Sequence, residues 1–117
     1  MEETVFDKII RREVPAVIVF ETDELIAFRD IHPLAPVHIL IIPKRRIVSI
    51  NDLGDDDAGL AGRMILAARD IARDLNISGK GYKLLFRVGH DGGQEIPHIH
   101  LHLLGGARLS EGIHPVK

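Results

Sequence analysis

The stretch His98-Ile99-His100-Leu101-His102-Leu103-Leu104 decides the fold of this 117-residue chain. Histidines occupy alternate positions, and every position between them is aliphatic. Successive side chains of a β-strand point to opposite faces, so a strand here would place three imidazoles on one face and an apolar row on the other. On a helix, residues two apart lie about 200° around the axis and would not align. The pattern therefore predicts a strand with one reactive face and one core face.

The histidine row has three possible explanations. It could be a histidine-rich surface strand without a chemical role. It could bind zinc, because imidazoles two apart on a strand lie roughly 6.5–7 Å apart and can converge on one ion. It could also supply a nucleophile for phosphorus, since crowded imidazoles resist protonation and a neutral ring can attack. His100 has a histidine on each side to donate a proton, which favours this third explanation.

Working outward, hydrophobic periodicity predicts one short helix, one long helix and five strands. The strands are residues 16–21, 25–29, 37–42, 82–88 and 98–104. The short helix follows Thr4, and the long one begins near the acids at 55–57 and ends at Leu75. Turns join most of the strands, which predicts an α+β fold on a mainly antiparallel sheet. An exposed edge of such a sheet invites pairing with a second copy.

Composition narrows the class of protein. With 45% hydrophobic and 27% charged residues, we expect a single domain over residues 1–117. A net charge of −2 argues against nucleic acid or an anionic membrane as a partner, and we interpret Lys44-Arg45-Arg46 as a solvated turn. The absence of cysteine suits a reducing compartment. Residues 1–12 lack the apolar run of a signal peptide, so we expect a soluble, cytoplasmic protein.

Several segments, in this order along the chain, carry a family resemblance. The histidine run fits the signature His-φ-His-φ-His-φ-φ, with φ apolar, at every position. The flanking matches are Thr4-Val5-Phe6, Ala27-Phe28-Arg29-Asp30-Ile31, Ala35-Pro36-Val37-His38, Ile41-Ile42-Pro43-Lys44, Gly92-Gly93-Gln94-Glu95 and Gly105-Gly106. Over nearly its whole length the chain resembles the Hint branch of the histidine triad (HIT) family. The resemblance implies a HIT-like fold with its sheet extended across a homodimer, and hydrolysis of purine nucleoside phosphoramidates.

The resemblance also implies unequal roles for four histidines. His100 would be the nucleophile that takes the nucleoside monophosphate, forming a covalent nucleotidyl-histidine. His102 would contact the phosphate and assist the leaving amine, which leaves poorly unless it is protonated. His98 would orient the row, and His38, on another strand, would extend the proton relay. No cofactor is implied as required, and any zinc bound by the row is not expected to be catalytic.

The nucleotide itself, of AMP or GMP type, would be held by several further residues. Asp30 would accept hydrogen bonds from both ribose hydroxyls, because a carboxylate offers only acceptors. The implied purine pocket consists of Val5, Phe6, Ile9, Val14, Phe28 and Ile31. Gly93 and Gln94 would bring backbone N–H groups and a side chain to the phosphate. Glu95 is an unusual neighbour for phosphate, because two anions repel.

Two departures from the family pattern leave the substrate open. Arg87 stands where the family has a phosphate-facing asparagine, so it adds a positive charge. The tail after Gly106 is short, and in the family this tail shapes the side of the leaving group. Two alternatives therefore remain: a dinucleoside polyphosphate hydrolase that uses the same nucleophile, and a nucleotide-binding or adaptor protein without catalysis.

Overall fold

A five-stranded antiparallel sheet forms the centre of the computed structural model, which describes residues 2–116. In chain order the elements are α1 (Val5–Ile10), β1 (Ile18–Glu21), β2 (Leu25–Arg29), β3 (Val37–Pro43), α2 (Ala58–Asp74), β4 (Lys83–Leu85) and β5 (Leu101–Gly105). The strand order is β1-β2-β3-β5-β4, and every neighbouring pair is antiparallel. The predicted α+β fold, with one long and one short helix, is confirmed.

Helix α1 begins with a capping box. The hydroxyl of Thr4 accepts a hydrogen bond from the Phe6 N–H at 3.2 Å, and the Asp7 carboxylate accepts one from the Thr4 N–H at 2.9 Å. These bonds satisfy amide groups that have no partner within the helix. A helix of six residues is too short to be stable by itself, so packing of Phe6 and Ile9 against the sheet stabilises it.

Helix α2 begins later than the acids at 55–57 suggest. Two 3₁₀ turns, Ile50–Asp52 and Asp55–Asp57, precede it. The Asp57 carboxylate accepts a hydrogen bond from the Gly54 N–H at 2.8 Å and pairs with Arg45, so it closes a turn before the helix begins. The buried face of α2 consists of Leu60, Met64, Ala67, Ala68, Ile71 and Ala72. Across residues 2–116, no helix is long and apolar enough to cross a membrane.

The sheet carries a hydrophobic core on each face. Ile99, Leu101 and Leu103 pack into the core that the sheet forms with α2. The smaller core on the opposite face contains Phe6, Ile9, Ile26, Phe28, Leu40 and Ile42. The three histidines of the row alternate with the first set, so they lie on the α1 side of the sheet. The predicted division into an apolar face and a histidine face is confirmed.

Strand β5 is shorter than predicted, because it begins at Leu101 and leaves His98 and His100 outside the ladder. The last pair between β3 and β5 is Ile41 with Leu101. Continued pairing would bring Pro43 opposite Ile99, and proline has no N–H to donate. The Ile99 N–H donates instead to the Ile47 carbonyl at 2.7 Å. The predicted strands 16–21 and 82–88 are also shorter, reduced to β1 and β4.

Truncating a side chain in the α2-side core tests this packing. Leu103 is fully buried, whereas Leu34 is 68% exposed. We expect Leu103→Ala to lower the free energy of unfolding by about 2–5 kcal/mol, because it leaves a cavity between the sheet and α2. The same change at Leu34 should cost less than about 0.5 kcal/mol. Urea unfolding of both variants measures the difference, and equal losses would contradict the assigned core.

Candidate active site

His38 and His102 form a hydrogen-bonded pair on neighbouring strands. Nε2 of His38 lies 3.0 Å from Nδ1 of His102. On its other side, Nδ1 of His38 accepts a hydrogen bond from the Leu34 N–H at 3.1 Å. A neutral imidazole has one N–H and one lone pair, so His38 must carry its proton on Nε2 and donate it to His102. His102 accepts on Nδ1 and therefore carries its own proton on Nε2.

His98 and His100 are held by backbone carbonyl groups. Nε2 of His98 donates to the Pro43 carbonyl at 2.8 Å, and Nδ1 of His100 donates to the His98 carbonyl at 2.7 Å. Carbonyl oxygens only accept hydrogen bonds, so these two ring nitrogens carry the protons. Nε2 of His100 consequently offers a lone pair. The His100 ring lies 4.9 Å, centroid to centroid, from the His102 ring.

Burial keeps all four rings neutral. It is the main cause that lowers the pKa of His38, His98 and His100 below the ordinary value of 6.5. For His102, burial and the two neighbouring rings lower the pKa to about 3. The lone pair of a neutral imidazole is available for attack, whereas that of an imidazolium is not. The site therefore presents one unprotonated and one protonated ring nitrogen on adjacent histidines.

Asp30, immediately after β2, lies beside this pair. Its Oδ2 is 3.6 Å from Nε2 of His38, and its side chain is 21% exposed. The other oxygen, Oδ1, accepts a hydrogen bond from the His32 N–H at 2.8 Å, which orders the turn after the strand. Asp30 thus forms a turn and also keeps a partly exposed carboxylate oxygen next to the histidines.

The residues expected to form a purine pocket divide into two groups. Phe6, Ile9 and Phe28 are buried together, and Phe6 lies edge-on to His100 at 5.1 Å between ring centroids. Val5 and Ile31 are exposed, at 45% and 78%. A cleft of about 370 Å³, lined partly by Ile9 and Val14, opens at the side of α1. Of these apolar side chains, Phe6 contacts the histidine row directly.

The loop before the histidines uses its polar groups largely within itself. The Gln94 side chain accepts from the Gly89 N–H and donates to the Val48 and Ile96 carbonyls. The N–H groups of Gly93 and Gln94 donate to backbone carbonyls of the same loop. These groups already have hydrogen-bond partners in this structure, so they are not free to contact a phosphate as expected. Glu95 is exposed.

Arg87 places a cation near the histidine row. Its charge contributes to lowering the pKa of His38, His100 and His102, after burial as the main cause. Its guanidinium lies beside Gly93, whose positive φ of 79° favours glycine. Within residues 2–116, no carboxylate lies within 4.0 Å of the half-buried Arg87 side chain. An anionic ligand would supply the missing counter-charge.

Two contributors to the site were missed from the sequence. Asp7 of α1 lies 3.9 Å from Nδ1 of His98, and Arg46 pairs with Asp7 at 2.9 Å. The Thr4-to-Asp7 spacing indicates a helix cap, but nothing in it points to a histidine about ninety residues further on. The interpretation of Arg46 as part of a solvated turn is wrong, because its side chain is only 20% exposed. Across residues 2–116, no group of three or more His, Asp or Glu side chains is arranged to hold a metal ion.

A family model, a curated relative and two solved structures all point to the same protein family. The HIT domain matches residues 11–109. The purine nucleoside phosphoramidase of Escherichia coli K12 is 51% identical over 108 residues, which cover 92% of this chain and 91% of that protein. A HIT family hydrolase from Legionella pneumophila superposes with a TM-score of 0.92 at 46% identity, covering 96% of this chain and all of that one. A HIT family hydrolase from Clostridium thermocellum gives 0.92 at 42% identity, with 97% and 99% covered.

The chain belongs to the HIT family, and the resemblance drawn from its sequence is confirmed.

The buried, neutral state of His102 predicts a pH-dependent stability. The unfolded ring takes up a proton below pH 6.5, but the folded ring does so only near pH 3. Between these values the unfolded state binds one more proton, so the free energy of unfolding falls as the pH falls, by about 1.4 kcal/mol per pH unit for this group. We expect His102→Gln to reduce that slope by about 1.4 kcal/mol per pH unit, the contribution of one proton. Urea unfolding between about pH 6 and pH 4 measures it.

The matched control is His90→Gln, because His90 is fully exposed. Its slope should equal that of the unmodified protein. A His102→Gln slope that also matches the unmodified protein would contradict the buried neutral ring.

Proposed function

We propose that this protein is a hydrolase that cleaves the P–N bond of purine nucleoside 5′-phosphoramidates, in which a nucleotide of AMP or GMP type is joined to an amine. One observation carries the proposal: His100 offers an unprotonated Nε2 beside His102, whose Nε2 carries a proton. An amine leaving group needs both a nucleophile at phosphorus and a proton donor. The name of the E. coli relative, purine nucleoside phosphoramidase, supports the same substrate class.

In the first step, Nε2 of His100 attacks phosphorus and a new N–P bond forms as the bond to the amine breaks. The anionic substrate favours uptake of one proton from solvent by the His38–His102 pair, because an adjacent negative charge stabilises an imidazolium. The pair then gives the Nε2 proton of His102 to the amine nitrogen and becomes neutral. The products of this step are a free amine and a nucleotidyl-His100 intermediate.

In the second step, water attacks the same phosphorus and the bond to Nε2 of His100 breaks. The neutral His38–His102 pair accepts the proton that water loses, and solvent later removes it. Nδ1 of His100 donates to the His98 carbonyl throughout, which keeps Nε2 directed at phosphorus. The nucleoside monophosphate leaves, and His100 returns to its initial state.

Arg87 and Asp30 supply the polar contacts in this proposal. The Arg87 guanidinium, which has no carboxylate partner among residues 2–116 and lies beside Gly93, neutralises the phosphate. Gln94 holds the loop that carries Gly93, and Glu95 in the same loop is exposed to solvent. The partly exposed Asp30 oxygen accepts from the ribose hydroxyls.

Apolar side chains hold the base. Phe6, Ile9 and Phe28 form the buried floor of the pocket, and the exposed side chains of Val5 and Ile31 cover the base. An apolar side chain that is exposed without ligand gains from covering a planar ring, because both lose contact with water.

We also propose that the reaction takes place in the cytoplasm, in keeping with a chain that has no cysteine.

Replacing the nucleophile tests the mechanism. We expect His100→Ala to lower the turnover of an adenosine 5′-phosphoramidate by at least about 10⁴-fold, because alanine has no ring nitrogen to attack phosphorus. The circular dichroism spectrum should not change. A chelator in the assay should leave the unmodified protein active, because imidazoles supply both the nucleophile and the acid.

His90→Ala, an exposed change, is the control and should keep full activity. Normal turnover by His100→Ala would contradict the mechanism. Diadenosine polyphosphate in the same assay tests the alternative that the protein is a dinucleoside polyphosphate hydrolase, which the positive charge of Arg87 favours. Faster cleavage of that substrate would assign the protein to the sibling activity, and tight AMP binding without turnover of either would make it a nucleotide-binding module.

The edge strand β4 predicts a homodimer. An edge strand presents unpaired N–H and C=O groups, and α2 exposes Ile65 and Leu66 at 49% and 46%. We propose that two copies pair through β4 and extend the sheet. Light scattering at micromolar concentration should give twice the chain mass of 13.0 kDa. A mass of 13.0 kDa across the concentration series would contradict pairing.

A further inference from the structure

A second cleft opens between β4 and the C-terminal tail of the chain. Its volume is about 340 Å³, which lies in the range of small-molecule sites. Residues 109–113 of the tail form one wall, and Nζ of Lys83 ties this wall to β4 by donating to the Ser110 carbonyl. We call this space the tail cleft.

Strand register places the tail cleft next to His102. Residues directly opposite each other on antiparallel strands present their side chains on the same face. Leu85 of β4 lies opposite His102, and Lys83 lies opposite Leu104. Leu85, Lys83 and Leu104 all line the cleft. The histidine face of β5 therefore continues past His102 into the tail cleft.

The proton donor of the site is turned toward this side of the sheet. Nδ1 of His102 is bonded to His38 of β3, which is one neighbour of β5, and β4 is the other. Nε2, at the far side of the ring, is turned away from β3. Among residues 2–116 it is buried and has no hydrogen-bond partner. In the proposed reaction this nitrogen protonates the amine, so the substituent of the amine would lie in the tail cleft.

Two cations line the tail cleft without a matching carboxylate. In the part of the chain from Glu2 to Val116, no carboxylate lies within 4.0 Å of Lys83 or Arg87. The exposed Glu111 is an acidic residue of the lining, so an excess of positive charge remains. Arg87 lies near the histidines and takes the phosphate. The Lys83 ammonium has N–H donors beyond the one that Ser110 occupies, and these suit a second anion.

The remaining walls are apolar. Leu34 and Ile113 are 68% and 79% exposed, and Leu109 lies between them and β4 in the lining. An apolar group in the cleft would remove these side chains from water, whereas a chain of phosphates would stay hydrated and leave them exposed. The combination of one free cation and leucine-rich walls suits an amine that carries both a carboxylate and an apolar side chain.

We infer that the tail cleft binds the leaving group, that this group is an amino acid with an apolar side chain joined to phosphorus through its α-nitrogen, and that Lys83 selects its carboxylate. The inference rests on the proposed function, because it names the amine that the reaction releases. The P–N bond breaks as phosphorus bonds to Nε2 of His100. The Nε2 proton of His102 passes to the α-nitrogen, and the free amino acid leaves.

A pair of substrates tests the role of Lys83. The adenosine 5′-phosphoramidates of leucine and of leucinamide share a side chain, but only the first carries a carboxylate. We expect the unmodified protein to prefer the leucine conjugate about tenfold in kcat/KM, and Lys83→Gln to reduce this ratio to below about twofold, because glutamine lacks the charge. Glu111→Gln is the matched control: it removes the opposite charge from the same cleft and should keep or raise the ratio.

The apolar wall is tested by Leu109→Ala. We expect this variant to lower the preference for the leucine conjugate over the glycine conjugate about threefold, because less apolar surface is buried. The ratio of leucine to leucinamide should not change. Both ratios compare two substrates on one protein, so a smaller fraction of folded protein cancels. An unchanged preference for leucine over glycine would overturn the apolar side of the assignment.

Binding gives a readout that does not depend on turnover. In the His100→Ala background, calorimetry with the same conjugates should show tighter binding of the leucine conjugate, and adding Lys83→Gln should abolish the difference. A preference that Lys83→Gln leaves unchanged, or no preference at all, would overturn the role of Lys83. Cleavage of diadenosine polyphosphate that Lys83→Gln slows more than that of the leucine conjugate would assign the second anion to a phosphate and overturn the amino acid.

The same measurements separate the two proposals. If the unmodified protein hydrolysed neither conjugate while His100→Ala bound the leucine conjugate more tightly through Lys83, the proposed function would fail and the assignment of the tail cleft would stand. If both conjugates were hydrolysed equally by the unmodified protein and by Lys83→Gln, the assignment would fail and the proposed function would stand.

Discussion

The arrangement of the site follows from the way that buried imidazoles share protons. A neutral ring has one donor and one acceptor, so a partner on one nitrogen fixes the behaviour of the other. The Leu34 N–H acts through His38 to place a proton on Nε2 of His102. The His98 carbonyl places the proton of His100 on Nδ1, which leaves Nε2 free. Backbone groups at a loop and before a strand therefore decide which histidine can attack and which can donate.

Burial keeps the histidine rings neutral, which a nucleophilic imidazole also requires. Because all four rings lose contact with water, each pays a large penalty for becoming charged, and the row stays neutral at pH 7. The nearby Arg87 adds a cation that further disfavours protonation. The neutral row and the Arg87 cation together are thus electrostatically suited to an anion. A bound phosphate would raise the pKa of the imidazoles, since its negative charge pairs with Arg87 and favours a protonated ring.

The sequence predicts those features that depend on local periodicity. The alternation of histidine and aliphatic residues holds even where the ladder does not, because any extended chain directs successive side chains to opposite sides. Ile99 accordingly lies in the α2-side core although β5 begins two residues later. The capping residues of α1 were predicted for the same reason, since a cap involves only residues three apart.

Features that depend on distant partners could not be predicted. Strand β5 begins late because of the missing N–H of Pro43, far away in the chain. Arg46 belongs to a run of basic residues that is typical of a solvated turn, and only the folded chain brings it to Asp7. The Gln94 side chain looks available in the sequence, yet Val48 and Ile96 supply carbonyl groups that bind it. In each case the decisive partner is fixed by topology.

The contact of Phe6 with His98 and His100 has a consequence for how the protein is made. A helix near the beginning of the chain must meet residues synthesised more than ninety positions later, so the site has a very long loop to close. On the ribosome the two edges of the site emerge at different times. The contact between α1 and the histidine row therefore forms only after the residues of the row have been synthesised.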